Sequence, residues 1–433
     1  MRRKIVHVGA GQLTYEIRQI VGVARQIEGF GRDIKWENIG DPVEKGVAIE
    51  PWMKEIITEL TSDDLSYRYA DSQGVPETRQ FLADLANSRK GAGVNADDII
   101  FFNGLGDAVA KIFGFLKREA RIIGPSPAYS THSSAEAAHS GYEHLTYTLD
   151  PNNNWLPDLE DLRNKVKYND SIAGILLINP DNPTGIVYSR ELLQEIVDIA
   201  ARHDLFIIAD ETYCNVVFPG VEFTYINEVI GKVPAISMKS VSKEYPWPGA
   251  RCGWIEVYNR DRDEEFDTYI LSLINAKRLE VCSTTLPQLS IPPIMGDARY
   301  PEHIAKQSAE LASRAAEAFS YMKDVDGVSV IMPQGALYFT VLFEEGVLNE
   351  NQHLKIAEDD IREYIEKITS GMPLDKRFVY YLLGAEGICV VPLTGFCSEL
   401  KGFRFTLLEI DAEKRSQIYR AIAARVKEFL GSD

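Results

Sequence analysis

The chain has 433 residues, of which 45% are hydrophobic and 25% are charged, a composition that is ordinary for a globular protein. A chain of this length exceeds a single compact core, so we expect two domains. Its formal net charge of −18 opposes binding to nucleic acid or anionic membranes, although a local basic pocket for a small anion is compatible with it.

No apolar run approaches the ~18 residues that a membrane span requires, and the apolar segment at residues 5–8 is too short for a signal peptide. Three histidines that lie close together in sequence lack metal spacing and are expected at ordinary surface or helix positions: His132, His139 and His144. The five cysteines are odd in number and also lack paired metal spacing: Cys214, Cys252, Cys282, Cys389 and Cys397. These features predict a cytoplasmic protein with reduced cysteines and no metal site.

The N-terminal third begins with a Gly-x-Gly pair at residues 9–11 that is not a dinucleotide-binding fingerprint, because Thr14 occupies the third glycine position. Apolar residues at helical spacing predict a helix over residues 15–28. Residues 34–42 have the pattern of a strand that ends in a tight turn, and a helix is predicted over residues 75–90.

A glycine-rich connection follows the next predicted strand, residues 98–103, and opens a helix that continues to residue 116. The N-terminus of a helix presents unpaired backbone N–H groups and the positive end of the helix dipole to an anion. We therefore predict Gly104, Leu105 and Gly106 as backbone donors to a phosphate. Asp107 is better interpreted as a capping acid at the start of this helix than as a ligand.

The middle of the chain alternates between strands and helices, which predicts a doubly wound, mostly parallel sheet. The apolar run at residues 174–178 has the pattern of a strand that is buried on both faces, and it leads into an Asn-Pro-Asp-Asn-Pro-Thr-Gly turn. After a helix over residues 189–203, the strand at residues 205–209 ends at Asp210. A carboxylate at the tip of a buried strand requires a partner.

A lysine lies between hydroxyl groups in the stretch that follows, Ser240-Val-Ser-Lys-Glu-Tyr-Pro-Trp-Pro-Gly-Ala-Arg-Cys-Gly. Lys243 can form a Schiff base with a carbonyl once its amine is deprotonated. Arg251 offers a planar fork of donors for a phosphate, and Ser240 and Ser242 are small neutral donors for the same anion. An isolated lysine is more often a solvated surface charge, but these spaced neighbours favour a site.

The C-terminal part has a different pattern. A long helix over residues 304–323 precedes alternating segments at residues 328–331, 337–341 and 402–407, which are typical of half-exposed antiparallel strands, and a closing helix is predicted over residues 412–430. Arg404 lies in the middle of a strand pattern and needs a carboxylate partner, either a ligand or a structural salt bridge.

Taken together, these motifs resemble those of the class I/II pyridoxal-phosphate-dependent aminotransferases, in family order and over residues 15–430. The resemblance rests on S-x-S-K-x(4)-[PG]-G-x-R-x-G at residues 240–253, N-P-x-N-P-T-G at 179–185, D-x-x-Y at 210–213, P-x-G-A-x-Y at 333–338 and the late arginine. It implies an α/β protein of fold type I, with a large doubly wound domain and a small α+β domain.

For the cofactor, the resemblance implies that Lys243 binds pyridoxal phosphate covalently and that Asp210 keeps the pyridine nitrogen of the cofactor protonated. Tyr213 and Asn182 would bind the phenolic oxygen, and Tyr129 would stack on the ring. The residue set implied for the phosphate is Gly104, Leu105, Gly106, Ser240, Ser242, Arg251 and, from the other subunit of a homodimer, Tyr69.

For the substrate, the resemblance implies that Arg404 binds the α-carboxylate, with Gly40 and Asn182 beside it. Tyr15 and Arg18 would lie near the substrate, although a purely structural role for Tyr15 stays open. A purely structural turn is likewise an open alternative for the segments at Gly40 and at Asn182.

The implied domains are an N-terminal arm with part of the small domain (residues 1–48), a large cofactor-binding domain (49–310) and a small C-terminal domain (311–433). The Y-E-I-R, N-I-G-D-P and W-L-P-D-L segments resemble bacterial alanine aminotransferases, which implies ping-pong exchange between alanine and 2-oxoglutarate. Aspartate or aromatic specificity and a lyase or decarboxylase on the same fold are the alternatives. A DNA-binding regulator of this fold is not expected, because only about 30 residues precede the turn near residue 40 and the chain is acidic.

Overall fold

The computed structural model describes residues 5–13 and 16–432. The strands in this part of the chain are β1 (Lys35–Trp36), β2 (Ile99–Phe102), β3 (Arg121–Ser126), β4 (Leu145–Asp150), β5 (Leu156–Pro157), β6 (Ile172–Ile178), β7 (Phe206–Asp210), β8 (Ala235–Ser240), β9 (Gly253–Tyr258), β10 (Val328–Val330), β11 (Tyr338–Phe343), β12 (Ile388–Cys389), β13 (Val391–Pro392) and β14 (Gly402–Thr406).

The helices are α1 (Glu16–Gly29), α2 (Pro51–Thr61), α3 (Pro76–Asn87), α4 (Leu105–Gly114), α5 (Ser130–Ser140), α6 (Leu159–Tyr168), α7 (Arg190–Arg202), α8 (Glu264–Leu279), α9 (Thr285–Met295), α10 (Tyr300–Met322), α11 (Asp359–Ile368), α12 (Leu374–Glu386) and α13 (Ala412–Leu430). None of the described helices is long and apolar enough to cross a membrane.

The larger sheet has eight strands in the order β2-β9-β8-β7-β6-β3-β4-β5. Strands β8, β7, β6, β3 and β4 are parallel to their neighbours in that series, whereas β9 and β5 run antiparallel to theirs. The prediction of a mostly parallel sheet is confirmed. Because parallel strands end at one edge, the segments that follow β6, β7 and β8 lie side by side.

Helices cover both faces of this sheet, as the side chains of β6 show. Ile175 and Leu177 join one buried hydrophobic cluster, whereas Leu176 and Ile178 join another. Successive side chains of a strand point to opposite faces, so a continuous apolar run is what a strand between two helical layers requires. This alternation produces the doubly wound, three-layer arrangement that the sequence predicts.

The smaller domain is built on an antiparallel sheet in the order β10-β11-β14-β13, beside a parallel pair formed by β1 and β12. Its core includes Phe339, Phe403 and Phe405, all fully buried. In β14, Arg404 pairs with Thr340 of β11 on one side and with Val391 of β13 on the other. Arg404 therefore occupies a central strand, as predicted.

Helix α10 connects the two hydrophobic cores. Tyr300 at its start belongs to a cluster of the large domain, whereas Leu311, Ala315 and Met322 belong to the small-domain cluster. The sequence predicted a helix after Pro301, but the helix begins at Tyr300 with this proline in its first turn. A proline is tolerated there because the N–H that it lacks would have no helical partner.

The strand predicted over residues 34–42 is much shorter, since only Lys35–Trp36 is paired. The rest of this segment forms turns, in which Val43 and Glu44 donate backbone hydrogen bonds to the side chain of Asp41. Local turn formation thus replaces strand pairing here. The predicted domain boundaries at residues 48 and 310 stay predictions.

Candidate active site

The residues predicted to bind cofactor and substrate meet at a cavity of about 510 Å³ where β6, β7 and β8 end. Those that line it are Arg18, Gly40, Leu105, Gly106, Tyr129, Asn182, Asp210, Tyr213, Ser240, Ser242, Lys243, Arg251 and Arg404. Gly104 lies directly beside this cavity, Tyr69 does not line it, and Tyr15 falls outside the described residues.

Lys243 enters the cavity from the loop that follows β8. Its Nζ donates a hydrogen bond to the carbonyl oxygen of Gly40. Burial lowers the pKa of Lys243 to about 8, Asp41 opposes this shift, and Arg404 and Arg251 reinforce it. About a tenth of the amine is therefore unprotonated at pH 7, far more than for an ordinary lysine, and the unprotonated amine is the form that attacks carbonyl groups.

Asp210 lies at the end of β7 and receives hydrogen bonds from two elements. His132 of α5 contacts the Oδ2 of Asp210 through Nε2 at 2.8 Å, and the backbone N–H of Thr212 donates to Oδ1 at 3.0 Å. Burial pushes the pKa of Asp210 upward, but His132 and Thr212 outweigh it and hold this pKa below its ordinary value. The carboxylate is thus kept anionic in a buried position.

His132 lies in a helix, which is within what the sequence led us to expect, but its burial and its role were not predicted. His132 is 1% exposed and is the partner of Asp210. The sequence held one signal that His132 belongs to the site. It lies three residues after Tyr129, which places the two side chains next to each other on one helical turn. The two rings are 6.4 Å apart, edge to face.

A pair of tyrosines closes one wall of the cavity. The hydroxyl groups of Tyr213 and Tyr338 are 2.8 Å apart and share a hydrogen bond. Burial raises the pKa of Tyr213 well above its ordinary value, so this phenol stays protonated and can donate. A side chain at Gly40 would collide with the hydroxyl of Tyr338, which explains why only glycine fits there.

Arg404 projects from β14 into the cavity and is 1% exposed. Its Nη1 donates to Oδ1 of Asn182 at 3.3 Å, and its Nη2 donates to the backbone oxygen of Asn38. The guanidinium lies 4.1 Å from the ring centre of Tyr338 and 5.1 Å from that of Phe396. Stacking between two aromatic rings fixes the plane of the guanidinium, which suits recognition of a carboxylate.

The opposite end of the cavity has the features of an anion site. Helix α4 begins there, and Gly104 precedes it with a φ of 82°, a conformation that favours glycine. A side chain at Gly104 would collide with the guanidinium of Arg251. Ser240 accepts a hydrogen bond from the backbone N–H of Ser242 at 3.1 Å. Helix dipole, arginine and hydroxyl groups are together well suited to a phosphate.

Asp107 lies in the first turn of this helix, where the sequence predicted a capping acid. Its Oδ2 accepts a hydrogen bond from the backbone N–H of Asn103 at 3.0 Å, and its side chain pairs with Lys111. Among the described residues, no group of three or more His, Cys, Asp or Glu side chains is arranged to hold a metal ion.

The family profile of "Aminotransferase class I and II" matches residues 38–422. An uncharacterized aminotransferase of Methanocaldococcus jannaschii is 54% identical over 430 residues, which cover 99% of this chain and all of that protein. The glutamate-pyruvate aminotransferase of Escherichia coli is 29% identical over 348 residues, 80% of this chain and 84% of that one.

Among solved structures, the alanine aminotransferase of Pyrococcus furiosus superimposes with a TM-score of 0.82 at 26% identity, and the match covers 99% of both chains. An aminotransferase from Escherichia coli gives a TM-score of 0.84 at 25% identity, covering 99% of this chain and 98% of that one. The matches to the family extend over nearly the whole chain and include the loop that carries the buried lysine. This chain belongs to the class I and II aminotransferases.

Proposed function

We propose that this transaminase binds pyridoxal phosphate through Lys243 and moves an amino group between L-alanine and 2-oxoglutarate by a ping-pong mechanism. The observation that carries the proposal is the buried amine of Lys243, with its pKa lowered to about 8, in one cavity with Asp210 and Arg404. When bound, the cofactor supplies an aldehyde that captures amines and a ring that withdraws electrons from the substrate.

The side chains fit each polar group of that cofactor. The anionic Asp210, held by His132, suits a protonated pyridine nitrogen, and the protonated Tyr213 suits a phenolic oxygen. Arg251 and the start of α4 suit the phosphate. We further propose, as the sequence motifs predict, that Tyr129 stacks on the cofactor ring, that Asn182 binds its phenolic oxygen, and that Ser240 and Ser242 bind its phosphate.

The chain's own residues then divide the work. Arg404 binds the α-carboxylate of the amino acid and thereby fixes its Cα in front of Lys243. The unprotonated amine of Lys243 would take the Cα proton and deliver it to the carbon that carried the aldehyde group of the cofactor, which the lowered pKa of Lys243 allows near neutral pH. Throughout the reaction, Tyr213 keeps its proton and Asp210 keeps its negative charge.

Two observations support alanine and 2-oxoglutarate. The relatives include a glutamate-pyruvate aminotransferase, whose name describes this exchange. Arg18 lines the mouth of the cavity and is exposed, so it can pair with the second carboxylate of 2-oxoglutarate and turn to solvent when alanine binds.

We also propose that the enzyme works as a homodimer. Tyr69 is 79% exposed and Tyr67 is 73% exposed, an unusual cost for two neighbouring aromatic rings unless a partner covers them. In this proposal Tyr69 reaches the phosphate site of the other subunit.

The function is tested by incubating the purified enzyme with pyridoxal phosphate, L-alanine and 2-oxoglutarate. We expect pyruvate and glutamate in equal amounts, together with pyridoxamine phosphate when alanine is added alone. Lys243→Ala should lose turnover by at least about 10⁴-fold and also lose the visible absorbance. Carbon dioxide or an eliminated product without pyridoxamine phosphate would instead identify a decarboxylase or lyase.

The role of Arg18 is tested by Arg18→Met, with Arg25→Met on the same helix as the matched control. We expect the KM for 2-oxoglutarate to rise about five- to tenfold in the first variant, the effect of one lost charged hydrogen bond, while the KM for alanine stays within about twofold. Equal effects on both substrates, or equal effects of both variants, would contradict this assignment. Aspartate or tyrosine as a better donor than alanine would overturn the substrate choice.

A further inference from the structure

The loop that carries Lys243 has a support that the family motifs do not include. After β8 ends at Ser240, the backbone leaves the sheet, so the carbonyl oxygens of Lys243 and Glu244 have no partners in the strand ladder. Buried carbonyl oxygens need donors from elsewhere. Here both donors come from helix α10.

Two side chains of α10 provide these hydrogen bonds. The Nε2–H of His303 donates to the carbonyl oxygen of Glu244 at 2.8 Å, and Nε2 of Gln307 donates to that of Lys243 at 3.1 Å. His303 is 9% exposed. His303 and Gln307 are four positions apart and therefore lie on one face of the helix. Two consecutive turns of α10 thus hydrogen-bond to two consecutive residues of the loop.

The same helix face also reaches the strand that binds the substrate carboxylate. Arg314 follows Gln307 by seven residues, which is two helical turns or about 10 Å along the axis. Its Nη1 donates to the carbonyl oxygen of Leu407 at 3.2 Å, three residues beyond Arg404. One rigid helix therefore contacts the backbone of Lys243 and the residue that directly follows the strand of Arg404.

The hydrogen bonds from α10 go to the backbone of the loop, because the side chains of Lys243 and Glu244 point into different cavities. Lys243 lines the cofactor cavity, whereas Glu244 lines a separate cavity of about 250 Å³ behind it. There the side chain of Glu244 accepts a hydrogen bond from Nδ2 of Asn215. The loop is thus held from behind at both residues while the amine of Lys243 stays accessible.

We propose that His303 and Gln307 are positioning residues for the aminotransferase reaction, which fix the backbone of Lys243 relative to the strand of Arg404. The inference rests on the proposed role of Lys243. An amine at the end of four methylene groups inherits any displacement of its own Cα, and misplacement of a reacting group by about 1 Å costs up to about 100-fold in rate. Neither side chain lines the cofactor cavity.

The test uses Gln307→Met, which keeps the length of the side chain and removes the donor, and His303→Leu. His303→Gln keeps an N–H near the Nε2 position and serves as the rescue variant. Gln194→Met on α7 is the matched control, because Gln194 is exposed and, within the described part of the chain, its side chain donates to Asp198 of the same helix at 3.0 Å and to no other residue. Each holoenzyme is titrated with pH while its visible absorbance is recorded, and kcat and KM for alanine are measured.

We expect Gln307→Met and His303→Leu to lower kcat about three- to tenfold, the worth of one hydrogen bond, with KM within about twofold. The apparent pKa of the visible absorbance should move by at least about 0.3 units, because the geometry around the amine changes. His303→Gln should recover most of both effects, and Gln194→Met should match the wild type. Variants that melt earlier but keep wild-type kcat and pH profile would overturn the inference, since their role would be structural only.

A second readout does not depend on turnover. In the apoenzyme, hydrogen–deuterium exchange of the peptide that contains Lys243 should be faster in Gln307→Met and His303→Leu than in Gln194→Met. Unchanged exchange in that peptide would also overturn the inference. An inactive, colourless wild type would refute the proposed function, and exchange would still decide whether α10 fixes the loop.

Discussion

Two lysines four residues apart show how position decides chemistry in this fold. Lys239, within β8, donates to Glu211 at 2.8 Å and to Glu256 at 2.7 Å and is 5% exposed. Burial lowers the pKa of Lys239, but the two carboxylates outweigh it and hold this pKa above its ordinary value. Lys243 donates to the carbonyl oxygen of Gly40 instead, and burial, reinforced by Arg404 and Arg251, lowers its pKa to about 8.

The same division separates two neighbouring acids. Asp210 faces the cofactor cavity and pairs with His132, whereas Glu211 pairs with Lys239 and accepts a hydrogen bond from Ser237 at 2.6 Å. Adjacent residues at a strand end point to opposite sides. The sheet therefore carries a reactive cavity on one side and a closed, charge-paired cluster on the other, hereafter the paired cluster (Arg89, Glu211, Lys239 and Glu256).

The comparison indicates that burial alone does not make a lysine reactive. Both lysines lose solvation, but Lys239 has carboxylate partners and stays a cation, while Lys243 lacks a carboxylate within ion-pair distance in the described structure. The reactivity of Lys243 thus depends on its lack of a carboxylate partner in the cavity. The stability of the fold depends instead on the carboxylates that pair with Lys239 in the paired cluster.

Among substitutions that compare the two sides of the sheet, the largest effect is expected from removing the charge of the acid in the cavity. Asp210→Asn removes the charge that would keep a pyridine nitrogen protonated, and we expect kcat to fall about 10²–10⁴-fold in steady-state assays. Glu211→Gln, its neighbour on the other side, should change kcat less than about threefold in the folded enzyme. Similar losses of kcat in the two variants would break the distinction between the two sides.

Removing the cation of the paired cluster should affect folding instead. Lys239→Met leaves two buried carboxylates without their shared partner, and we expect the free energy of unfolding to fall by about 3–5 kcal/mol, measured by urea denaturation. Adding Glu211→Gln should recover part of this loss because one buried charge is removed. A stable Lys239→Met protein without visible absorbance would contradict the assignment of Lys243.

The smallest effect is a pH dependence of cofactor capture by the apoenzyme. Because the pKa of Lys243 is lowered from an ordinary 10.5 to about 8, the reactive free amine dominates above pH 8 and is lost as pH falls through that value. The rate of absorbance change after mixing with pyridoxal phosphate should therefore rise about tenfold per pH unit below 8 and level off above it. A rate that keeps rising to pH 10 would mean an unperturbed lysine.

Sequence motifs predicted much of the reactive side. Asn182 and Asp210 each follow an apolar run, and buried parallel strands deliver such residues to one edge of a sheet. Lys243 stood out instead by the serines, glycine and arginine spaced around it. Arg404 stood out because a charge in the middle of a strand pattern is unusual. The tight turn predicted at the end of residues 34–42 forms at Asp41, but the strand before it was overestimated, because only Lys35–Trp36 is paired.

The partners of these residues could not be predicted. His132 meets Asp210 across 78 positions in sequence, and that meeting depends on how α5 lies on the sheet. The pairing of Lys239 with Glu211 and Glu256 likewise depends on the order of β7, β8 and β9. Neither pairing leaves a local pattern, because both join separate elements through tertiary packing.

The central claim is that Lys243, and not its paired neighbour Lys239, holds the cofactor. Borohydride reduces the C=N bond between a lysine and an aldehyde to a stable amine, so the holoenzyme can be reduced, digested and mapped by mass spectrometry. We predict one pyridoxyl group per chain, on the peptide position of Lys243. Label on Lys239 or on any other lysine, or a reduced protein without label, would contradict the account.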